Sequence, residues 1–236
     1  MDLHALGRDL ESEIEGEVRF DKVSRALYST DASVYQIEPA GVVVVKSRDD
    51  VIRTVRICRR HACSLTMRGG GTSQAGQAIG EGVQVDTSKY FNRLLEVNVG
   101  QRWARVEPGI VLDELNAALR PYDLRFAPDI STASRATVGG MMANNSSGAR
   151  SVMYGKTIDH VLEQRPQGPR AQREATGEAV GEVGQAVVEG RQQDRAHALR
   201  GQPVEVRGRD LAAVATEVAV AQVVGQEDQH VGGPTG

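Results

Sequence analysis

The sequence predicts a fold that mixes α-helices and β-strands, and three consecutive patterns support this prediction. Residues 41–45 are a glycine and four valines, which is typical of a strand covered on both faces. Ser47 then provides a helix N-cap, and apolar positions repeat after it at helical spacing: Val51, Ile52, Val55 and Cys58. Residues 64–68 regain strand character and lead into a glycine-rich loop. This order predicts a βαβ unit.

Further short elements follow along the chain. Residues 82–86, 94–98 and 102–107 have the β-branched and alternating character of strands. Pro108 and Gly109 then form a predicted turn into an amphipathic helix with Val111, Leu112, Leu115 and Leu119 on one face. The sequence has no internal repeat. The predicted helices and strands extend over the first two thirds of the chain.

Composition and charge exclude several functional classes. The chain has 236 residues, and its 28 Lys and Arg nearly balance its 31 Asp and Glu, so we expect no nucleic-acid partner. Cys58 and Cys63 are too few for a disulfide framework, and with His61 they supply only three donors, so we expect no metal site. The longest apolar stretch, residues 211–224, contains polar residues and is too short for a membrane span. We therefore expect a cytoplasmic protein.

The last 73 residues differ in composition from the first 163. Residues 1–163 contain all nine aromatic residues, all four Lys, 13 Ser, 8 Ile and 5 Asn, and residues 164–236 contain none of these types. Such a low-complexity tail is a poor candidate for an independent core. One interpretation is a flexible linker, and the other is a GC-rich gene that is read out of frame after about Glu163, because the common tail residues have GC-rich codons.

Residues 68–77 read Arg-Gly-Gly-Gly-Thr-Ser-Gln-Ala-Gly-Gln and form the first candidate site. Successive residues without large side chains let backbone N–H groups converge on a phosphate, and Thr72 and Ser73 add hydroxyl donors. The segment lacks the Gly-Lys-Ser/Thr of a Walker loop, and Gln74 stands where a Rossmann fingerprint requires glycine. The alternative is an ordinary glycine-rich surface loop.

Residues 137–148 form the second candidate site. Gly139 and Gly140 would let the backbone approach a ligand, and the following neutral donors suit phosphate oxygens or the edge of a flavin ring: Asn144, Asn145, Ser146 and Ser147. The alternative is a helix with a polar, glycine-terminated end.

These segments, with Pro128-Asp129 and residues 151–161, resemble the flavin-binding domain of the p-cresol methylhydroxylase (PCMH) and vanillyl-alcohol oxidase superfamily. Residues 28–39 and 144–150 are similar to large bacterial proteins that join a D-lactate or D-2-hydroxyglutarate dehydrogenase-like flavin module to an iron–sulfur module. The resemblance covers about residues 20–163. A cell-wall flavoenzyme that reduces an enolpyruvyl sugar nucleotide shares the fold but resembles these motifs less.

The resemblance implies an α+β, two-lobed PCMH-type FAD-binding domain that is incomplete at its C-terminal side. It divides the chain into a lead segment at residues 1–37, the domain at 38–163 and the tail at 164–236. It implies FAD held noncovalently, because Gly71 stands where covalent members have histidine. The implied FAD-binding residues are Arg68, Gly69, Gly70, Gly71, Thr72, Ser73, Gln77, Pro128, Asp129, Thr137, Gly139, Gly140, Asn144, Asn145, Ser146, Gly148, Ser151, Tyr154 and Gly155.

The implied activity is the oxidation of a D-2-hydroxy acid of the D-lactate, glycolate or D-2-hydroxyglutarate class, with hydride transfer to the flavin. Catalytic residues of the family lie mostly in a cap domain that this sequence lacks, so the resemblance implies a truncated FAD-binding portion that is inactive alone. The alternative is a non-catalytic FAD-binding or subunit-interaction module that needs a partner to supply the cap and iron–sulfur domains. By its place in the family pattern, His160 would lie near the flavin. The alternative is that it is only solvated or hydrogen-bonded, as lone histidines at the end of a helix or strand commonly are. The family domain continues after Glu163 with an apolar strand, and Arg165-Pro166 predict that this strand is missing here.

Overall fold

Two lobes with separate hydrophobic cores make up the chain in the computed structural model, which describes residues 2–167, 215–222 and 224–225. Most of the tail at 164–236, for which the linker and out-of-frame interpretations were raised, lies outside the described residues. Among the described residues, no helix has the length and apolar character needed to cross a membrane.

The first lobe is a four-stranded sheet with helices packed against it. Its elements are α1 (Leu3–Glu13), β1 (Glu17–Arg19), α2 (Lys22–Leu27), β2 (Gly41–Val44), α3 (Arg48–Arg60), β3 (Leu65–Arg68) and β4 (Val83–Asp86). The strand order is β1-β2-β4-β3, in which β2, β4 and β3 are parallel and β1 is antiparallel. The predicted βαβ unit is confirmed, and β4 lies between its two strands.

Local sequence explains the βαβ unit. Every residue of β2 is buried, as the valine run predicts. Ser47 caps α3 by accepting a hydrogen bond from the Asp50 N–H at 3.2 Å, and the Asp50 carboxylate accepts from the Glu15 and Lys46 N–H groups, both at 2.9 Å. At the other end Ala62 takes a positive φ of 50°, and the Cys63 N–H donates to the Cys58 carbonyl at 2.9 Å. Together with the bond from the Ala62 N–H to the Arg59 carbonyl at 3.2 Å, this forms a Schellman motif, which ends the helix and leads into β3.

The second lobe contains the remaining elements. They are β5 (Leu94–Asn98), β6 (Trp103–Val106), α4 (Leu112–Leu119), a 3₁₀ turn (Arg120–Tyr122), β7 (Leu124–Arg125), α5 (Val138–Ala143), α6 (Ser151–Tyr154), a second 3₁₀ turn (Thr157–His160), β8 (Val161–Gln167), β9 (Ala215–Gln222) and β10 (Val224–Gly225). The main sheet has the order β5-β6-β9-β8, and β10 pairs with β7. The core of the lobe surrounds the apolar face of α4, with Leu112, Leu115 and Leu119 buried against Phe126.

The prediction that no strand continues past Glu163 is wrong. β8 runs on to Gln167, and β9 lies between β6 and β8, so the second edge of β6 is paired. Proline is tolerated here because β8 is an edge strand of its sheet, and Pro166 stands at a shift of register between Arg165 and Pro166.

Candidate functional site

A cleft between the two lobes brings the two predicted site segments together. One wall comes from the loop after β3 and the other from α5 and the residues around it. The lining residues are Met67, Gly69, Gly70, Gly71, Thr72, Ser73, Gln77, Ala78, Ala136, Thr137, Gly140, Met141, Ala143, Asn144 and Ser146. None of these side chains is charged, so the cleft must recognise a ligand through dipoles and hydrogen bonds.

Five consecutive residues of the glycine-rich loop, 69–73, line the first wall. In the described part of the chain, the N–H groups of residues 69–73 donate no hydrogen bond to another protein group. The buried Ser73 hydroxyl makes three hydrogen bonds within the loop. It accepts from the Ala75 and Gln77 N–H groups at 3.3 and 3.2 Å, and it donates to Gln77 Oε1 at 2.5 Å. Gly71 has a φ of 65°, which favours glycine. Successive free N–H groups of this kind form an anion-binding concavity.

Two glycines allow the walls to approach closely. A Cβ at Gly69 would lie 2.3 Å from Thr137 Oγ1, and a Cβ at Gly70 would lie 2.0 Å from the Arg135 carbonyl oxygen. Real Cβ atoms essentially never come closer than 3.0 Å to such atoms. The glycine run therefore serves two purposes, since it frees backbone donors and lets the first lobe pack against the second.

The second wall contributes side chains more than backbone donors. Thr137 caps α5 by accepting from the Gly140 N–H at 3.3 Å. The Val138 and Gly139 N–H groups already donate to the carbonyls of Ile110 and Pro108, at 2.9 and 2.7 Å. The predicted close approach of Gly139 is therefore to the Pro108 backbone, and only Gly140 of the pair faces the cleft.

Several of the other predicted site residues hold a folded loop behind the second wall. Asn145 Oδ1 accepts from the Ile158 N–H at 3.0 Å, and the Ser146 carbonyl accepts from the Thr157 hydroxyl at 2.7 Å. Ser151 Oγ accepts from the Gly148 N–H at 2.9 Å. This loop also contains Tyr154 and Gly155, which do not line the cleft.

The Pro128-Asp129 pair lies against the same loop. Gly148 packs directly on the Asp129 carbonyl, where a Cβ would have no room, and the Asp129 carboxylate forms an ion pair with Arg150 at 3.4 Å. Neither Pro128 nor Asp129 lines the cleft. The structure thus brings together the two glycine segments and places this pair in supporting packing.

His160 is buried below the same loop. Its Nε2 lies 2.6 Å from the Tyr154 carbonyl oxygen, and its ring meets Phe126 edge to face at 5.8 Å between centroids. A carbonyl oxygen only accepts, so Nε2 is the donor of this hydrogen bond. His160 does not line the cleft, and its contacts are those of a residue that supports packing.

Sequence reasoning missed the N-terminal residues that contact the first wall from outside. Arg68 turns away from the cleft toward the Thr30 and Ala78 carbonyls, each 2.9 Å from its guanidinium. Its guanidinium also lies over the Tyr28 ring, 5.4 Å from the centroid. Tyr28 and Thr30 belong to a segment rich in turn-forming residues, and no local pattern shows that this segment folds back over the glycine-rich loop.

Metal-ligating side chains do not cluster in the part of the chain that the structure describes. Within residues 2–167 and the short described strands beyond them, no group of three or more His, Cys, Asp or Glu side chains could hold a metal ion. Cys58 and Cys63 are both buried and unoxidised, and the Cys63 thiol donates to the Ser64 carbonyl at 3.2 Å. His61 instead pairs with Asp9 at 2.8 Å.

Comparison with known proteins shows what this cleft belongs to. Residues 39–165 match the family described as FAD binding domain, which is more than half of the chain. The chain belongs to this FAD-binding family. FAD is therefore the cofactor of the domain, as the two glycine segments and their resemblance predict.

Relatives in this family are longer than the chain. A D-2-hydroxyglutarate dehydrogenase of Pseudomonas putida is 46% identical over 155 residues, which is 64% of this chain and 15% of that protein. The D-2-hydroxyglutarate dehydrogenase of Escherichia coli is 43% identical over 150 residues, again 15% of its length. Glycolate oxidase subunit GlcD of Bacillus subtilis is 32% identical over 154 residues, or 33% of its length. The chain thus spans a small part of the curated relatives that it matches.

Solved structures confirm the predicted fold class. An alkyldihydroxyacetonephosphate synthase superposes with a TM-score of 0.69 and 19% identity, over 94% of this chain and 40% of that chain. Substrate-bound p-cresol methylhydroxylase superposes with a TM-score of 0.66 and 14% identity, over 94% and 43% of the two chains. The two lobes therefore have the PCMH-type FAD-binding fold.

The chemistry of the cleft fits the diphosphate of FAD. A diphosphate offers several acceptor oxygens and no donors at neutral pH, and the first wall offers five free N–H donors in succession. The absence of carboxylates among the lining residues leaves nothing to repel the phosphates. The cleft has a volume of about 80 Å³, so it accommodates only a portion of the cofactor.

Proposed function

We propose that this chain is the FAD-binding part of a flavin-dependent dehydrogenase that oxidises a D-2-hydroxy acid of the D-2-hydroxyglutarate, D-lactate or glycolate class. The observation that carries the proposal is the cleft of free backbone donors, in a chain 46% identical to a D-2-hydroxyglutarate dehydrogenase over 155 residues. Hydride transfer from the α-carbon of the hydroxy acid is the chemistry that FAD supplies when bound.

We assign distinct roles to the residues of the two walls. The N–H groups of residues 69–73 bind the diphosphate, and Thr72 and Asn144 add a hydroxyl and an amide. Gly140 and Ser146 line the second wall, while Gly139, Gly148, Ser151 and Gly155 fix the loops behind it. FAD is held noncovalently, because Gly71 offers no nucleophile. We propose residues 38–163 as the FAD-binding unit.

We further propose that residues outside the described chain bind the carboxylate of the substrate and remove its hydroxyl proton. The cleft contains no lysine, arginine or histidine that could hold a carboxylate. A partner polypeptide with the cap and iron–sulfur domains fits this requirement, since the chain matches only 15% of the length of its D-2-hydroxyglutarate dehydrogenase relatives. A non-catalytic FAD-binding or subunit-interaction module that needs a partner cap domain is the second candidate, and the uncharged cleft is the observation that favours it.

Titration with FAD, followed by an activity assay, tests both candidates. The purified chain should quench FAD fluorescence stoichiometrically, and acid precipitation should release all of the yellow cofactor. Adding a separately expressed cap domain from a relative should then allow reduction of a dye by D-2-hydroxyglutarate and not by its L enantiomer. A chain that binds no FAD contradicts the proposal, and FAD binding without turnover in the presence of the cap favours the non-catalytic module.

A further inference from the structure

We propose that Arg68 is a positioning residue, which clamps the glycine-rich loop to the N-terminal segment at residues 28–35 and makes no contact with the phosphates. This inference rests on the proposed function, because it assigns the outer support of the same FAD site. It also changes the role of Arg68, which the sequence pattern places among the residues that contact the cofactor.

The guanidinium of Arg68 lies on the outer side of the loop. Met67 and Gly69 on either side of it line the cleft, and Arg68 does not. Its two terminal nitrogens donate to different segments, one to the Ala78 carbonyl at the end of the loop and one to the Thr30 carbonyl, both at 2.9 Å. A Cβ at Gly71 would lie 2.4 Å from the Arg68 guanidinium, so the guanidinium fills the space beneath the bend of the loop.

The N-terminal segment makes two further contacts with the loop. The Asp31 carboxylate accepts a hydrogen bond from the Ala78 N–H at 3.4 Å and another from the Ser33 N–H at 2.9 Å. The ring of Tyr35 covers Gly76, where an added Cβ would lie 3.0 Å from the ring. Burial opposes ionisation of Asp31, but the hydrogen bonds from Ser33 and Ala78 outweigh it and hold the pKa of Asp31 below its ordinary value. The carboxylate therefore remains an acceptor at neutral pH.

Tyr28 attaches this arrangement to the sheet of the first lobe. Its hydroxyl donates to Asp86 Oδ2 at 2.5 Å, and Asp86 ends β4. The other carboxylate oxygen accepts from the Ser88 N–H and hydroxyl, both at 2.7 Å. Burial, with the negative charge of Asp86, raises the pKa of Tyr28, so the phenol stays protonated and keeps donating. The Arg68 guanidinium lies over the ring of the same tyrosine.

These contacts hold the loop in shape before any ligand arrives. The Ser73 hydroxyl ties together residues 73–77, whereas the N–H groups of residues 69–73 donate to no protein group in the described part of the chain, so residues 69–72 would sample more conformations without outside support. Fixing it in advance lowers the entropy lost on binding and so raises affinity. We expect loss of the clamp to weaken FAD binding about tenfold or more.

The test compares Arg68→Lys with Arg25→Lys in the full chain. Lysine keeps the charge but cannot reach both carbonyls with a planar fork. Arg25 is a matched control, because it also donates to a backbone carbonyl, that of Pro39 at 2.8 Å, and contacts no loop residue. Amide hydrogen exchange is measured at residues 69–78 without FAD, and FAD affinity is measured by fluorescence quenching.

We expect Arg68→Lys to speed amide exchange in the loop at least tenfold and to weaken FAD binding by a similar factor, with Arg25→Lys near wild type on both measures. Weaker FAD binding with wild-type exchange would show a direct phosphate contact and overturn the inference, as would wild-type values on both measures. A wild-type chain that binds no FAD contradicts the proposed function, and the exchange rates alone then decide on the clamp.

Tyr28→Phe provides a second variant if Arg68→Lys does not fold. It keeps the ring beneath the guanidinium and removes only the hydrogen bond to Asp86. We expect exchange in the loop to rise a few-fold, with the same direction of change in FAD affinity. Unchanged exchange at residues 69–78 in this variant contradicts the role given to the N-terminal segment.

Discussion

Replacing Gly70 by alanine should separate the two walls of the cleft. The new methyl carbon would lie 2.0 Å from the Arg135 carbonyl oxygen, where ordinary van der Waals contact begins at 3.4 Å. The walls must therefore move apart by about 1.4 Å, and overpacking of this kind costs about 1–3 kcal/mol. Both contacting atoms belong to backbone or to Cβ, so no flexible side chain can absorb the shift.

This displacement acts directly on the FAD site. Gly70 supplies one of the five free N–H donors, and the opposite wall begins one residue after Arg135. If FAD must restore the closed geometry, the cost of closing it is subtracted from the binding free energy. Since about 1.4 kcal/mol corresponds to a factor of ten, we expect the Kd for FAD to rise about tenfold to a hundredfold.

Fluorescence titration of FAD with the Gly70→Ala chain measures this effect, and Gly100→Ala is the matched control. Gly100 lies in the turn between β5 and β6, where an added Cβ would meet only Asn98 Oδ1 at 3.8 Å. The control should bind FAD like wild type. Equal affinities for Gly70→Ala and Gly100→Ala would refute the argument that close packing of the walls shapes the site.

Three further predictions concern stability, measured by urea unfolding. Ala62→Gly should stabilise the chain by about 0.5–1 kcal/mol, because glycine removes the strain of a positive φ at the end of α3. Ser47→Ala should destabilise it by about 1 kcal/mol through loss of the N-cap bond to the Asp50 N–H. Hydrogen bonds, first of all from Lys89, hold the pKa of Glu17 at about 2, below its ordinary 4.5. Glu17→Gln should therefore lower the free energy of unfolding at pH 7 by about 1 kcal/mol, a figure that is reduced for solvent screening. The ionised Glu17 carboxylate stabilises the chain fully above pH 4.5, and this stabilisation is lost as the pH falls to about 2. The unfolding free energies of wild type and Glu17→Gln should therefore converge near pH 2.

Each of these predictions has an outcome that would contradict it. An Ala62→Gly chain less stable than wild type would show that the Schellman motif imposes no strain. A Ser47→Thr variant keeps the hydroxyl and serves as the control for Ser47→Ala, so equal losses in both would exclude the cap. A constant difference between wild type and Glu17→Gln from pH 7 to pH 2 would exclude the carboxylate charge as its cause.

Sequence patterns predict the parts of the fold whose cause is local. Three predicted features depend only on residues that are close in sequence, and all three are confirmed: the valine run of β2, the N-cap at Ser47 and the apolar face of α4. The two glycine segments line one cleft, and both carry a composition that suits a phosphate and lie in the part of the chain that matches the family.

The parts that sequence analysis missed depend on contacts between distant residues. β1 has only three residues and is a strand because it pairs with β2. The role of Tyr28 depends on Asp86, more than fifty residues later. β9 has a visible signal in the alternation of Val218 and Val220, but only the tertiary structure shows that β6 provides an edge for it. A composition count over the whole tail obscures such a short strand.

The order of the two cores along the chain has a consequence for synthesis. The first core runs from Leu6 to Phe91 and the second from Ala104 to Met141, so they do not interleave. A chain that emerges N-terminus first can therefore complete one core before the other has been translated. The loop at residues 69–78 and its clamp emerge within the earlier part, whereas Asn144 on the opposite wall emerges after both cores. A nascent chain thus carries a rigid half-site on its surface well before the residues that close it leave the ribosome.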